Sequence, residues 1–249
     1  MNFMKAGLFI PCYIDQFYPQ VGIDTLELLE KLGVEIESPL NQTCCGQPLA
    51  NSGMEKETLK ICSHFIQLFG SYDVIVSPSG SCVLHIKEHV PESLHDQVYF
   101  HVRDHIYELT EFMTDILKID GLDGHFPHRV GLHQSCHGLR GLRNGKSSEL
   151  AGKGFGKARA ILSSLKDIHL VELDRRDECC GFGGTFSVFE EAVSVRMGKD
   201  RIHDHMKNGA EIITATDMSC LMHLEGLIKR NHQPIRVMHI AEILNAAIS

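Results

Sequence analysis

Short apolar runs alternate with amphipathic stretches along the chain, and the whole alternation occurs twice. In the first half, Gly7-Leu8-Phe9-Ile10 has strand length and ends at Pro11-Cys12. From Gly22 to Leu32, the residues Ile23, Leu26, Leu29 and Leu32 recur at helical spacing and predict one buried face. Val34-Glu35-Ile36 predicts a second strand leading to Cys44-Cys45-Gly46. Asp73-Val74-Ile75-Val76 predicts a third, ending just before Ser79-Gly80-Ser81-Cys82. The second half repeats the order: Val130-Gly131-Leu132 runs to Cys136, and a helix spans Gly156 to Leu165 with Ala158, Ile161, Leu162 and Leu165 inward. His169 to Leu173 leads to Cys179-Cys180-Gly181, and Glu211 to Thr216 leads to Asp217-Met218-Ser219-Cys220. The ends match too, Ile106 to Met113 with Val237 to Leu244.

Strands alternating with helices predict an α/β fold of two pseudo-symmetric lobes, each a small, mostly parallel sheet with flanking helices. Gly121, Gly124 and Pro127 interrupt the pattern between Ile119 and His128, so the lobes are expected at 1–120 and 128–249. The repeated cysteines fall at the carboxyl ends of strands, where sites form in open parallel sheets. They are Cys12, Cys44, Cys45 and Cys82 in one lobe and Cys136, Cys179, Cys180 and Cys220 in the other. Cys62, on a helix and without a counterpart, reads as a half-buried core thiol.

The charge balance of −8 argues against nucleic-acid binding, which rests on cationic contacts to phosphate. No apolar run has membrane-spanning length, and Ala6 to Ile10 is too short for a signal-peptide core, so a cytoplasmic location is expected. In that compartment nine cysteines point to metal or redox chemistry rather than a disulfide framework. Sets of four thiolates suit zinc or an iron–sulfur cluster. Neighbouring residues in an extended segment point apart, so a vicinal pair reaches two iron atoms more easily than one zinc ion. A disulfide within the pair would be strained, because adjacent Cα atoms are only about 3.8 Å apart. Gly46, Gly181, Gly183 and Gly184 would let the backbone approach an inorganic core and aim N–H groups at sulfide.

These residues resemble those of the cysteine-rich, or CCG-domain, proteins, among them the cysteine-rich subunit of heterodisulfide reductase and the iron–sulfur subunit of glycolate oxidase. The likeness covers nearly the whole chain. It includes Cys44-Cys45-Gly46-Gln47-Pro48, Asn51-Ser52-Gly53, Ser77-Pro78-Ser79-Gly80-Ser81-Cys82, Cys179 through Ser187, and Met238-His239-Ile240-Ala241-Glu242. The resemblance implies a non-autonomous oxidoreductase subunit that transfers electrons within a multi-protein system oxidising L-lactate to pyruvate. It implies one 4Fe-4S-type cluster per lobe on the eight repeated cysteines. Its partners would be the other subunits of a lactate-oxidising complex, including a ferredoxin-like iron–sulfur protein. The alternatives are the equivalent subunit of a glycolate-type 2-hydroxy acid oxidase, or a zinc-binding or thiol-redox interaction protein without catalysis. The family pattern ends each half with Cys-x-x-Cys, whereas Ser79 and Asp217 stand at the first of those positions here. Each half thus offers four thiolates and one oxygen, which suits an ordinary four-iron cluster or a modified site with oxygen ligation. Each oxygen is expected beside the thiolates of its own lobe, or else Asp217 caps the helix that follows it.

Weaker signals carry little. Gly141-Leu142-Arg143-Asn144-Gly145-Lys146-Ser147 has the wrong glycine spacing for a phosphate loop, and no strand precedes it. Gly152-Lys153-Gly154-Phe155-Gly156 likewise fails the dinucleotide pattern. Arg140, Arg143 and Lys146 read as a solvated loop. His85 with His89, and His101 with His105, are spaced as helical zinc pairs but read as solvated histidines.

Overall fold

A computed structural model describes residues 5–151 and 155–248. The first lobe runs β1 (Ala6–Leu8), α1 (Cys12–Phe17), α2 (Pro19–Lys31), β2 (Ile36–Glu37), α3 (Gln47–Asn51), α4 (Glu55–Phe69), β3 (Val74–Ser77), α5 (Gly80–Glu88), α6 (Gln97–His105), β4 (Ile106–Glu108) and α7 (Leu109–Glu111). The second runs β5 (Arg129–Leu132), α8 (Lys157–Ser163), β6 (His169–Leu170), α9 (Phe186–Phe189), α10 (Glu191–Lys207), β7 (Ile212–Ala215), α11 (Met218–Arg230), β8 (Arg236–His239) and α12 (Ile240–Ala247). Both sheets have four parallel strands, in the orders β2-β1-β3-β4 and β6-β5-β7-β8. The matched chain ends supply the fourth strand of each sheet.

The registers correspond. Ala6 pairs with Val74 as Val130 pairs with Ile212, which makes Gly7 the counterpart of Gly131. Both glycines are required by crowding: a Cβ on Gly7 would meet the Tyr72 ring at 2.9 Å, and one on Gly131 would strike His205. One step past each strand, Phe9 N–H donates to Val76 O at 2.9 Å and His133 N–H donates to Thr214 O at 2.7 Å. Phe9 and His133 are therefore equivalent positions.

The lobes share one core. Residues from β1, β3 and α2 and from β5, α8 and α12 form a single apolar cluster, with α12 packed along α2. Lys31 closes this contact by donating to the carbonyls of Asn245 and Ile248 at 3.0 and 2.9 Å, near the carboxyl end of α12. The buried face of α2 differs from the periodicity reading. Val21, Thr25, Leu28 and Leu29 are inward, while Ile23 is 48% exposed, because the helix lies between its own sheet and α12. The second strands are also shorter than their apolar runs, two residues each.

The seam between the lobes is made by equivalent loops. Ser79 and Asp217 form an antiparallel bridge, and Gly80 N–H donates to Thr216 O at 3.3 Å. Contact between like positions is what an internal two-fold requires.

Candidate metal centre

All eight repeated cysteines lie where strands give way to loops or helix starts, and they gather into one set per lobe. In the first, Cys12 Sγ lies 3.5 Å from Cys44 Sγ, and Cys45 Sγ lies 3.3 Å from Cys82 Sγ. In the second, Cys136, Cys179, Cys180 and Cys220 are linked in the same order by thiol contacts. None is in a disulfide. In each set the two middle-to-late cysteines, Cys45 with Cys82 and Cys180 with Cys220, are buried, and the other two are half-buried.

The local backbone explains the glycines. Gly46 and Gly181 have φ of 98° and 91°, a left-handed turn that only glycine adopts readily. That turn brings Gly46 N–H to Cys44 Sγ and Gly181 N–H to Cys179 Sγ, each at 3.4 Å. Phe182 N–H adds a contact to Cys180 Sγ at 3.5 Å. Gly183, at φ 55°, and Gly184 line the cleft beyond.

Protons distribute unevenly over each set. Hydrogen bonds from Cys12 and then Cys45, with the Gly46 N–H, pull Cys44 down to about 3. Cys136, Cys180 and the Gly181 N–H pull Cys179 down to about 2. Hydrogen bonding to these thiolates, with burial, pushes Cys12 and Cys136 well above the usual thiol value. One thiolate thus suppresses ionisation of its neighbours, and four can ionise together only around a compensating positive charge. The donor set fits a thiolate-bound metal or iron–sulfur cluster.

The second set borders a cleft whose far wall comes from the first lobe. A cavity of about 550 Å³ is bounded by Cys136, Cys179, Cys180 and Cys220 on one side and by Tyr13, Gln47, Pro48 and Asn51 on the other. Tyr13 and Phe182 meet edge to face across it, ring centres 5.9 Å apart. Cys12, Cys45 and Cys82 border a much smaller space of about 20 Å³, with Ser79, Ser81 and Asp217.

Ser79 borders the small space lined by Cys12, Cys45 and Cys82 of its own lobe, and Asp217 reaches across the seam as well. Ser79 Oγ caps α5, accepting from Cys82 N–H at 3.4 Å. Asp217 leaves its own helix without a side-chain cap and reaches across the seam instead. It accepts from Ser81 N–H at 2.8 Å and Ser81 Oγ–H at 3.1 Å, and from Ser219 Oγ–H at 2.9 Å. The same carboxylate acts on Cys136 and Cys220 of its own lobe, while the same-helix cap expected as the alternative gives way to this cross-lobe cap.

Several residues near the thiols carried no signal in the motifs. His85, read as solvated, is buried at 1% exposure, and burial pushes it down to about 4. Its Nε2 lies 3.8 Å from Cys62 Sγ, and Cys62 Sγ lies 3.6 Å from Cys45 O. The counterpart of His85 is His223, three residues after Cys220 as His85 is three after Cys82. His223 Nε2 would be met by a Cβ on Gly198, which would also approach Cys180 O. Cys62 therefore has a counterpart after all, Gly198, and it is fully buried rather than half-buried. Counting along α4 and α10 from that pair, Phe65 falls opposite Arg201 and Phe69 opposite His205. The His101–His105 rings stack at 4.4 Å on α6, away from the thiols.

A larger cavity, about 640 Å³, lies beside Lys146, Ser147, Arg159, Arg176, Glu172 and Asp177. Its arginines are engaged by Glu172, and Arg140 nearby pairs with Glu149 at 2.6 Å. Gly152, Lys153 and Gly154, from the rejected dinucleotide pattern, lie outside the described residues.

Two α/β lobes, each presenting four cysteines with a Cys-Cys-Gly turn, define a class. The chain belongs to the CCG cysteine-rich domain family, whose model matches residues 6–87 and 130–225. Among its curated relatives is lactate utilization protein A of Halalkalibacterium halodurans, 39% identical over 247 residues and 97% of each chain. Lactate utilization protein A of an Exiguobacterium species is 40% identical, covering 98% of each chain. No helix among the described residues is long and apolar enough to cross a membrane.

Proposed function

We propose that this chain is an iron–sulfur electron-transfer subunit of a multi-protein system that oxidises L-lactate to pyruvate. The observation that carries the reading is the pair of equivalent four-thiol sets, one in each lobe. The names of the full-length relatives support lactate utilisation as the setting. Cys12, Cys44, Cys45 and Cys82 would hold one cluster, and Cys136, Cys179, Cys180 and Cys220 the other. A bound iron–sulfur cluster would supply one-electron redox chemistry, and the chain sets its position and potential. The N–H groups of Gly46, Gly181 and Phe182 stabilise negative charge on sulfur. Gly183 leaves the second set open to the cleft, and Ser79 and Asp217 hold the lobes in register beside the first. The exposed Val188, Phe189 and Val193, at and beside the cleft mouth, suit docking of a partner such as a ferredoxin-like iron–sulfur protein.

The test is composition under anaerobic purification. The reading expects a brown protein with roughly eight iron and eight acid-labile sulfide per chain. A colourless protein with stoichiometric zinc would sink it.

A further inference from the structure

The two thiol sets are alike, but the layers beneath them are not. In the first lobe that layer is aromatic. Phe9, Phe65 and Phe69 are fully buried, with ring centres 4.8, 5.8 and 4.7 Å apart. In the second lobe the equivalent positions hold His133, Arg201 and His205, all at 1% exposure or less. Arg201 is anchored by Asp204 at 2.7 Å and by the Arg175 carbonyl, yet its Nε has no partner. Among the described residues, neither ring nitrogen of His133 has a hydrogen-bond partner, nor does either ring nitrogen of His205. Leaving a buried polar group unmatched costs stability. The first lobe shows that the fold fills the same place with phenylalanine, so packing does not require these groups.

One of them points at the thiols. A ring nitrogen of His133 and the sulfurs of Cys180 and Cys220 all lie within 4.8 Å of one another. A neutral imidazole has one lone pair to offer a metal. Imidazole is a good ligand for iron and zinc alike.

We propose that His133 supplies a ring nitrogen to the metal held by Cys180 and Cys220, so that the second-lobe centre has mixed thiolate and imidazole ligation and the first has thiolates only. The inference rests on the proposed metal-binding role of the thiols, but not on the metal being an iron–sulfur cluster. Phe9 offers no ligand atom, and the difference between the lobes is built into the chain.

The experiment uses the full chain labelled with [15N]histidine, and an unlabelled copy, loaded anaerobically with ferrous iron and sulfide. In parallel, metal-free protein is titrated with Co(II). Pulsed EPR of the reduced protein should show a directly coupled histidine nitrogen whose isotope pattern follows the label. The signal should persist in Cys45→Ala, and in His137→Gln, which alters the histidine beside Cys136. It should vanish in His133→Phe and His133→Gln. The Co(II) spectrum should likewise shift toward all-thiolate ligation in both His133 variants. Absence of histidine coupling in the parent, or coupling that survives both His133 substitutions, overturns the proposal and leaves the iron–sulfur reading standing. Metal without acid-labile sulfide, but with His133-dependent Co(II) bands, overturns the iron–sulfur reading and leaves this proposal standing. Cys45→Ala protein that binds neither metal overturns both.

Discussion

At the scale of single residues, the distinction that matters is between a thiol that faces its three partners and one that does not. Cys45 and Cys180 each touch two other cysteines of their set, whereas Cys62 touches His85 and a carbonyl. Burial pushes the Cys62 thiol up to about 11, so it is neutral and inert at physiological pH. Replacing Cys45 or Cys180 with Ala should remove about half the bound metal by elemental analysis, one centre of two. Cys62→Ala should leave metal content unchanged and cost about 1–2 kcal/mol in urea unfolding, since a small buried group is lost. Equal metal loss in all three variants would refute the assignment. The eight cysteines were legible because each recurs at the matching place in both halves, after a strand. His85 was read as solvated from its helical spacing with His89, and His133 and Arg201 stand outside any cysteine motif. The signal was nonetheless present in the repeat. Aligned on the last cysteine of each half, His85 and His223 coincide, and aligned on the first strands, Phe9 faces His133.

Among the elements, the two helices that follow the fourth strands start with matching capping boxes of opposite chemistry. Glu108 with Glu111 begins α7, and His239 with Glu242 begins α12. Both N-cap side chains are fully buried. Burial pushes Glu108 up to about 7, against the hydrogen bonds from Thr110 that favour its ionised form. Burial pushes His239 down to about 4. The folded state therefore binds the Glu108 proton more tightly than the unfolded chain does. The stability it contributes is fully present below about pH 4.5 and is lost as pH rises through 7. For His239 the sign reverses, with stability present above about pH 6.5 and lost as pH falls through 4. Each swing is on the order of 2–3 kcal/mol. Urea unfolding of the metal-free chain should show Glu108→Gln gaining on the parent by that amount between pH 5 and 8. His239→Gln should gain on the parent between pH 7 and 4. Parallel pH curves for parent and variant would refute the corresponding assignment. Element type and order could be read from periodicity, but the buried face of α2 could not. Single-sequence periodicity marks where apolar residues are, and α2 is covered from two directions by its own sheet and by α12.

For the whole molecule, the seam and the cleft decide how the two centres differ. Asp217 ties the lobes together by capping α5 from across the seam. Asp217→Ala strands the Ser81 N–H and two hydroxyls and should cost about 2–3 kcal/mol in urea unfolding. Ser79→Ala, which removes one long cap contact, should cost about 1 kcal/mol or less. Equal small losses would show that the seam does not depend on Asp217. Its carboxylate is also felt in the second set: it adds to the upward push of the Cys179 contact and burial on Cys136, and, against the lowering contact from Cys180, it joins burial in raising Cys220. That charge opposes reduction of a second-lobe cluster, but three features favour it. The second set borders the 550 Å³ cleft, whereas Cys12, Cys45 and Cys82 border only about 20 Å³, so water better stabilises added negative charge there. It receives the extra N–H of Phe182. Beneath it lie His133 and the cationic Arg201, where the first lobe has phenylalanine. Hydrogen bonds, solvent exposure and less negative surroundings all raise the reduction potential of a cluster. Asp217 shares its charge with three donors, and the three favourable features outweigh it. An EPR-monitored redox titration of the iron-loaded chain should therefore resolve two steps. Cys45→Ala should abolish the lower-potential step and Cys180→Ala the higher one. Asp217→Ala should move the higher step further up and leave the lower one nearly in place. The opposite assignment of steps to lobes would mean that the Asp217 carboxylate, and not the cleft or the polar layer beneath the thiols, sets the order of electron flow.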